Sequence, residues 1–375
     1  MAKITKMEVF QLPLRVRAVR AHGIGEVSGK VDTVLLRLEA EDGQVGWGEG
    51  APWAVFTGTA EACVAALDRY LRPHVEGQDP ADIAGIMETA DRALTGHPEA
   101  KAALETALLD LAGHQAGVPV WQLLGGKCRD TIPLSVSVAD PDWDRDRAFV
   151  ERMVEQEGVR ILKFKTGFAD HSFDLMRVEE VRTRWPDLDL RIDYNQGMHP
   201  RDALRCLRDF DGMGLGFIEQ PVPAKQWECM AELTRALDTP ILADEAVFTP
   251  EDMIRAAPRE IAKAVSVKIM KCGGPRTGLA IARMAQAAGW GGYGGDMFET
   301  GIAHLAGTHM IAAAPGIDMG CEFYHARHHL TQDTLASPFP DRAGIVHVPD
   351  GPGLGVSVDE DFVRGASRVH GSGDV

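Results

Sequence analysis

From residue 133 onward, short apolar segments alternate with segments whose apolar residues recur every three or four positions. The first kind predicts strands and the second predicts amphipathic helices, for example at 173–185 and 278–289. The predicted strands are nearly continuous in apolar residues, which is typical of a parallel sheet covered on both faces. They lie at 133–139, 160–165, 189–195, 215–221, 239–245, 264–270, 289–295 and 316–322. Eight strands alternating with helices predict an α/β fold of the TIM-barrel type.

The first part of the chain follows a different pattern. Predicted strands at 4–12, 33–40 and 45–49 precede a helical stretch that reaches about residue 115 and ends at Gly117 and Pro119. These features predict an α+β unit before the barrel. The residues after the last barrel strand are too few for another domain, so we expect them to return to the N-terminal unit. The predicted divisions are 1–126, 127–324 and 325–375.

The composition excludes several classes of protein. The 375 residues include 55 acidic and 39 basic side chains, for a net charge of −16, which argues against nucleic acid as a partner. The chain has no apolar stretch of about 18 residues and no signal-peptide pattern, so we expect a cytoplasmic protein without a membrane span. The six cysteines form no CxxC pair, which predicts packed thiols rather than disulfides or a zinc site.

Ionisable residues lie near the carboxyl ends of the predicted barrel strands, where TIM barrels place their active sites. Any one of them also fits a helix cap or a solvated loop charge. A charge within an apolar strand is costly unless it is paired, so seven in register indicate a shared purpose. They are Lys165, Asp193, Glu219, Asp244, Lys268, Asp296 and Glu322, separated by 24 to 28 residues.

Three of these residues are carboxylates on consecutive strands: Asp193, Glu219 and Asp244. Three converging carboxylates need a cation, and oxygen ligands alone select a hard divalent ion, Mg²⁺ or Mn²⁺. Asn195, two residues after Asp193, is a candidate to orient the metal ligands without binding the cation itself. Glu245 is a weaker candidate because strand alternation turns it away from Asp244.

The lysines suggest proton transfer. Lys163 and Lys165 are two residues apart on one strand and therefore share a face, so we expect each to lower the pKa of the other. A lysine of lowered pKa can act as a general base near neutral pH. Lys268 belongs to a strand on the other side of the barrel. A cation between lysines suits proton transfer next to a carboxylate; the alternative is that the lysines only neutralise the carboxylates.

At these positions the sequence resembles the enolase superfamily, and within it the muconate lactonizing enzyme subgroup of the mandelate racemase/muconate lactonizing enzyme family. The resemblance covers nearly the whole chain and rests on the segments KFKTG, RIDYNQG, FIEQPV, ILADE and SVKIMKCGG. It implies a (β/α)7β barrel with an N-terminal α+β capping domain, and a homo-oligomer, with an octamer as one option. It also implies that Lys165 and Lys268 are the acid/base pair and that Glu322 helps to position the substrate.

The resemblance indicates the type of chemistry but leaves the substrate open. Our first hypothesis is cycloisomerisation of a small carboxylate through an enolate stabilised by the cation and by Lys163 or Lys268, with Lys165 transferring the proton. The alternative is a racemase or epimerase of an N-acyl amino acid or dipeptide that uses Lys165 and Lys268 as two bases. GCEFYHARHHL lacks the Asp-x-Asp of dipeptide epimerases, which argues against that variant. A non-catalytic protein of the same fold is the third hypothesis.

Two loops of the predicted cap are candidates to close over the substrate. RAHGIGEV (20–27) contains Ile24 between glycines, and GAPWAVFTGT (50–59) contains Trp53 and Phe56, which suit an apolar lid. Ordinary packing between the two domains is the alternative for both aromatic residues.

Two further signals concern the last strand ends. Asp296 is expected either to accept a hydrogen bond from the substrate or to pair with Lys268. His325, His328 and His329 lack an established metal-ligand spacing, so a polar loop is the favoured interpretation of that segment.

Overall fold

The N-terminal unit is built around a four-stranded antiparallel sheet in the computed structural model, which describes residues 2–370. The first strands are β1 (Ile4–Arg15), β2 (Arg20–His22), β3 (Gly25–Val27), β4 (Lys30–Ala40) and β5 (Val45–Gly50). The helices are α1 (Ala60–Ala65), α2 (Ile83–Ala93), α3 (Pro98–Ala116) and α4 (Val120–Leu123), with a π-helical turn at Ala66–Leu71 and a 3-10 turn at Arg72–His74. Strands β2 and β3 form a separate hairpin beside the sheet. The predicted α+β unit is therefore present.

Glycines in β5 let the longest helix lie directly on the sheet. A Cβ atom at Gly48 would come within 1.9 Å of the carbonyl oxygen of Ala103 in α3, and one at Gly46 within 2.3 Å of that of Ala107. Helix α3 ends where the sequence predicts, because Gly117 adopts a left-handed conformation with φ of 68°. This close packing fixes the end of β5, from which the lid segment begins.

The second unit is a barrel of parallel strands connected by helices. After β6 (Thr131–Pro133), the strands are β7 (Ser135–Val138), β8 (Ile161–Lys165), β9 (Asp189–Asp193), β10 (Ile218–Glu219), β11 (Ile241–Ala243), β12 (Ala264–Val267) and β13 (Gly291–Gly294). The helices are α5 (Trp143–Glu155), α6 (His171–Arg184), α7 (Pro200–Asp211), α8 (Trp227–Ala236), α9 (Pro250–Ala256), α10 (Ile269–Cys272), α11 (Pro275–Ala287) and α12 (Gly301–Ala312), with a 3-10 turn at Ala257–Arg259. Strands β7 to β13 pair in sequence order, as predicted.

The eighth predicted strand, 316–322, is reduced to single bridges. Cys321 pairs in parallel with Leu134 on one side and with Gly294 on the other, so this one residue closes the ring. Gly320 has φ of 80°, and a Cβ there would lie 2.6 Å from the carbonyl oxygen of Pro133. The left-handed residue interrupts the extended conformation, which explains why no longer strand forms.

The C-terminal residues pack against both units. A π-helical turn at His325–His329 follows the closure, then β14 (Asp341–Arg342), β15 (Ile345–His347), α13 (Glu360–Ala366) and β16 (Arg368–His370). Strand β15 pairs with β6, and β16 pairs antiparallel with β1. The chain thus returns to the N-terminal sheet, while the exact domain divisions at 126 and 324 stay a prediction.

One buried carboxylate joins the cap to the barrel mouth. Glu49 in β5 accepts hydrogen bonds from the backbone of Thr300 at 2.8 Å and of Ala303 at 3.0 Å, at the start of α12. The hydroxyl groups of Thr33 and Thr300 donate to the same carboxylate. Four donors satisfy a charge that lies at the positive end of a helix dipole. This contact holds the loop between β13 and α12, which carries Asp296, against the cap.

Between residues 2 and 370, the structure has no helix that is both long and apolar enough to cross a bilayer. The cysteines are free thiols, as predicted, and most are buried, although Cys128 is exposed.

Candidate active site

The parallel register brings the predicted residues together at one end of the barrel. Lys165 is paired in register with Asp193, and Asp193 with Glu219, on three neighbouring strands. Asp244 and Lys268 each follow the last residue of their strand by one position. The carboxyl ends of parallel strands face the same side, so all five side chains converge there.

The three carboxylates predicted to hold a cation are completely buried and paired with lysines. Lys163 lies 2.6 Å from Oε2 of Glu219 and 3.3 Å from Oδ2 of Asp193. Nζ of Lys268 lies 2.5 Å from Oδ2 of Asp244. The second oxygen of Glu219, Oε1, is buried and has no hydrogen-bond partner among the described residues. A buried carboxylate oxygen without a partner is costly, so this atom is suited to a ligand.

Electrostatic repulsion from neighbouring carboxylates affects the pKa of one member of this group. Burial, followed by the nearby charges of Asp193 and Asp244, raises the pKa of Glu219 to about 7. Asp244 is also buried, but Lys268 and Lys271 hold its pKa well below the usual value. A cation near Glu219 would favour its ionised form, as Lys268 and Lys271 do for Asp244.

The expectation that Lys163 and Lys165 lower each other's pKa is wrong for Lys163. Burial alone would lower its pKa, but Glu219 and Glu322 raise it well above the ordinary value. Lys268 behaves similarly, since Asp244 and Glu219 raise its pKa against the effect of burial. The sequence argument considered burial and the neighbouring lysine, whereas carboxylates from other strands lie 2.6 and 2.7 Å from Nζ of Lys163.

Lys165 and Lys268 line the same cavity. Nζ of Lys165 donates to Oδ2 of Asp193 at 2.6 Å and to Oδ1 of Asn195 at 3.0 Å. Asn195 in turn donates its backbone N–H to Asp193 at 2.8 Å, in a left-handed conformation with φ of 44°. Asn195 therefore fixes Lys165 and Asp193 together. Lys163 is fully buried and does not line the cavity, so it neutralises carboxylates.

Glu322 lies at the cavity wall with both carboxylate oxygens engaged. One oxygen is 2.7 Å from Nζ of Lys163, and the other accepts a hydrogen bond from the hydroxyl of Ser137. Glu322 thereby connects the wall of the cavity to the buried cluster of carboxylates and lysines. Its predicted contact with substrate stays a prediction.

The cap contributes aromatic residues to the site. Trp53 lines the cavity and packs edge-on against His22, with ring centres 4.6 Å apart. Phe56 stacks between Trp53 and Phe248 at 6.2 and 5.3 Å. Its ring lies 4.8 Å from Nζ of Lys268, a cation–π contact, although Phe56 is not part of the cavity wall.

Ile24 lies away from the cavity, half-buried at the tip of the β2–β3 hairpin. The hairpin tip is held close to the barrel, because a Cβ at Gly23 would come within 2.0 Å of the carbonyl oxygen of Tyr194. Ile24 is not among the residues that line the cavity, and its predicted contact with substrate stays a prediction.

Asp296 does not pair with Lys268, which corrects one of the two expectations for it. Its Oδ2 atom lies 2.5 Å from Nδ1 of His325 and 3.3 Å from Nε2 of His304. The segment that carries His325 is also not a polar loop. It is a π-helical turn in which His325, His328 and His329 are all buried. The ligand atoms of Asp296, His304 and His325 lie within 4.8 Å of one another, close enough to be considered as a metal site.

Sequence reasoning missed several residues of the site. Lys271 is buried and donates to the carbonyl oxygen of Asp244 at 2.6 Å and to its Oδ1 at 2.8 Å. Its position three residues after Lys268, in the short helix α10, was the available signal. Arg20 and His22 also line the cavity, and Arg20 donates to the carbonyl oxygen of Ser137 at 2.7 Å. They belong to the loop predicted as a lid, but nothing in the sequence shows which side of the hairpin faces inward.

Replacement of Lys271 by methionine tests its structural role. We expect the free energy of unfolding to fall by about 3 kcal/mol, because the variant leaves a buried carboxylate with fewer positive partners. Lys263→Met is the matched control, since Lys263 is exposed and lies 3.7 Å from Glu260, so its loss should change stability by less than about 0.5 kcal/mol. Urea unfolding of both variants measures the difference, and equal midpoints would show that Lys271 is not needed to compensate Asp244.

A capped parallel barrel that gathers carboxylates and lysines at the carboxyl ends of its strands defines an enolase-like enzyme class. Residues 145–362 match the family described as Enolase C-terminal domain-like. Residues 13–125 match the family described as Mandelate racemase / muconate lactonizing enzyme, N-terminal domain. The chain belongs to the mandelate racemase/muconate lactonizing enzyme family of the enolase superfamily, in the muconate lactonizing enzyme subgroup.

Individual relatives are isomerases of more than one kind. The structure of a muconate lactonizing enzyme from Pseudomonas fluorescens in complex with muconolactone is 32% identical, with a TM-score of 0.94, and the match covers 98% of this chain and 100% of that one. A muconate cycloisomerase from Azorhizobium caulinodans is 44% identical, with a TM-score of 0.86 over 98% and 99% of the chains. L-Ala-D/L-Glu epimerase of Bacillus subtilis is 33% identical over 87% of this chain and 89% of its own length.

Proposed function

We propose that this protein is a divalent-metal-dependent isomerase that acts on a small carboxylate through an enolate, in the manner of a muconate cycloisomerase. The observation that carries this proposal is that Lys165 and Lys268, from strands on different sides of the barrel, line one cavity beside three buried carboxylates. Such an arrangement places a proton donor or acceptor on either side of a bound molecule. The similarity to muconate cycloisomerases supports the choice of reaction.

Asp193, Glu219 and Asp244 are the proposed ligands of Mg²⁺ or Mn²⁺. All three offer only carboxylate oxygens, which hard divalent ions prefer. The unpartnered Oε1 of Glu219 and its raised pKa fit a cation at this position. When bound, the cation would stabilise the negative charge that develops on the substrate carboxylate.

The remaining steps are assigned to residues of the chain. Lys165 transfers the proton, because Asp193 and Asn195 hold its ammonium group at the cavity wall. Lys268 stabilises the enolate from the other side. Lys163 stays buried and balances Glu219 and Glu322, which keeps Glu322 in a fixed position. Trp53 covers the cavity from the cap and excludes water.

Racemisation or epimerisation of an amino-acid derivative is the second candidate. It is favoured by the presence of both lysines at the cavity, since a two-base reaction needs one on each face of the carbon that loses its proton. The epimerase relative supports it as well.

We also propose a homo-oligomer in the cytoplasm, a small-molecule partner and no nucleic-acid partner. The domain divisions at residues 126 and 324 are part of the same proposal.

The reaction can be tested with two substrate types. We expect the Mn²⁺-loaded enzyme to convert a substituted muconate, and more slowly cis,cis-muconate itself, to a lactone, which ultraviolet absorbance follows. Exchange of solvent deuterium into an N-acyl amino acid without net conversion would favour racemisation instead. If neither type of substrate nor dipeptides and proline derivatives showed turnover or exchange, the non-catalytic hypothesis would replace the proposal.

A further inference from the structure

A histidine hydrogen-bonded to a buried aspartate lies at the cavity wall. His325 lines the cavity together with Lys165 and Lys268. Its Nδ1 atom is 2.5 Å from Oδ2 of Asp296, and the same oxygen is 3.3 Å from Nε2 of His304. All three side chains of this Asp296–His304–His325 cluster are buried. The cavity therefore contains a polar group that the proposed mechanism does not use.

The hydrogen bond to Asp296 determines the tautomer of His325. A carboxylate only accepts hydrogen bonds, so Nδ1 of His325 carries the proton. Burial lowers the pKa of His325, and the nearby His304 and Arg20 add to this effect against the opposing charge of Asp296. In the resulting neutral ring, Nε2 holds a lone pair. Among residues 2–370 the hydrogen bond of the His325 ring is made by Nδ1, and His325 lines the cavity.

Neighbouring rings fix the direction of that lone pair. The ring centre of His325 lies 4.2 Å from that of Tyr324, 5.3 Å from that of Phe298 and 5.2 Å from that of His329. With Asp296 on one side and three rings around it, the imidazole is pre-organised. A pre-organised acceptor discriminates strongly, because a ligand that cannot donate leaves it unpaired.

The same cluster can also be considered as a metal site, since its ligand atoms lie within 4.8 Å of one another. Ligands of a tetrahedral zinc ion at about 2.0–2.1 Å are separated from each other by about 3.3 Å. The 2.5 Å between Nδ1 of His325 and Oδ2 of Asp296 is shorter than that separation. Direct hydrogen bonding therefore describes the arrangement better than coordination of a shared ion.

We propose that His325, positioned by Asp296 and His304, accepts a hydrogen bond from an N–H or O–H group of the substrate. This inference rests on the proposed function and narrows its substrate class. The substrate is a small carboxylate with a hydrogen-bond donor, such as a hydroxyl-bearing unsaturated acid, an N-acyl amino acid or a cyclic amino acid. Unsubstituted cis,cis-muconate has no donor at neutral pH and is expected to be a poor substrate.

The test compares matched pairs of carboxylates, in which the donor is present or blocked by O- or N-methylation. With the Mn²⁺-loaded wild-type enzyme, blocking the donor should lower kcat/KM for turnover or deuterium exchange by about 10-fold or more. In Asp296→Asn the amide can donate to Nδ1, which would move the proton of His325 to Nε2 and turn the acceptor into a donor. The preference for the donor-bearing member of each pair should then disappear.

The control uses a similar histidine of the same turn. Nε2 of His328 lies 3.0 Å from Oδ2 of Asp341, and neither residue lines this cavity. Asp341→Asn should keep the wild-type substrate preference. ¹⁵N NMR of the imidazole nitrogens gives a readout independent of activity: Nδ1 of His325 should be protonated in the wild-type protein and Nε2 in Asp296→Asn.

The outcomes separate this inference from the proposed function. Exchange by the wild-type enzyme that is equal for both members of every pair would overturn the role of His325 and leave the isomerase proposal intact. Absence of exchange for every carboxylate would instead overturn the isomerase proposal. Retention of one bound Co²⁺ or Zn²⁺ in Asp193→Asn/Glu219→Gln that is lost when His325→Phe is added to this double variant would show a metal site in place of the hydrogen-bonded cluster.

Discussion

Replacement of Lys165 by alanine should lower kcat by about 10³-fold, since general acid–base groups typically contribute 10² to 10⁴. The ammonium group of Lys165 is partly exposed at the cavity and is oriented by two partners, Asp193 and Asn195. No neighbouring group replaces it, because Lys163 is fully buried and bound to other carboxylates. The measurement is steady-state turnover, or deuterium exchange, of the best substrate in the carboxylate panel.

Two further variants distinguish whether Lys165 acts by transferring a proton or only through its positive charge. Lys165→Arg keeps the positive charge beside Asp193 but does not release a proton, since the pKa of arginine exceeds 12. We therefore expect it to be as inactive as Lys165→Ala while remaining folded. Lys225→Ala, at an exposed position, should be fully active. Substantial activity in Lys165→Arg would show that Lys165 acts only through its charge.

Loss of the carboxylate pair Asp193 and Glu219 should have the second large effect. In the double variant Asp193→Asn/Glu219→Gln we expect the affinity for Mn²⁺ to fall by more than about 100-fold, and turnover to fall with it. The neutral replacements preserve shape, so the loss reflects ligand charge. Stability should also fall by about 3–5 kcal/mol, because Lys163 loses two of its three carboxylate partners while it stays buried.

Glu245→Gln is the matched control for cation binding. Glu245 is buried next to Asp244 in sequence, and neither of its carboxylate oxygens has a hydrogen-bond partner among the described residues. Burial and the charge of Asp244 raise its pKa to about 8. Strand alternation turns Glu245 away from Asp244, so the variant should keep most of the Mn²⁺ affinity. Isothermal titration with Mn²⁺ measures both variants, and equal losses would place Glu245 among the ligands.

The sequence was sufficient to predict which residues converge. Each strand of the barrel is followed by one helix, so the strand ends recur at regular intervals in the sequence. Side chains near the carboxyl ends of the strands all lie on the same side of the barrel. Lys165, Asp193 and Glu219 therefore came together from spacing alone, and their register neighbours in the structure agree. The N-terminal strands and the α3 helix were predictable for a similar reason, because their patterns are local.

Contacts that depend on chain reversals were not predictable. Asp296 meets His325 only because a buried π-helical turn follows the single-residue closure at Cys321, and no periodic pattern indicates such a turn. The protonation of Lys163 was predicted with the wrong sign because its carboxylate partners come from other strands. The short eighth strand depends on the left-handed Gly320, which the sequence does not distinguish from other glycines.

The charge of the inner cluster is compatible with the proposal that a lysine acts as a base. Four carboxylates (Asp193, Glu219, Asp244 and Glu322) meet four lysines (Lys163, Lys165, Lys268 and Lys271), so the cluster is neutral when all are ionised. A divalent cation and a substrate with one carboxylate together add one positive charge. Loss of one lysine proton restores neutrality, so proton transfer from a lysine leaves no net charge in the complex.

The central claim is that Lys165 moves a proton at the carbon next to a substrate carboxylate while Lys268 stabilises the enolate. Its most direct test is proton NMR in D₂O, which follows deuterium incorporation at that carbon with the Mg²⁺-loaded enzyme and the carboxylate panel. We predict incorporation with the wild-type enzyme, a loss of about 10³-fold in Lys165→Ala, and a similar loss in Lys268→Ala. Undiminished incorporation in both single variants would contradict the account.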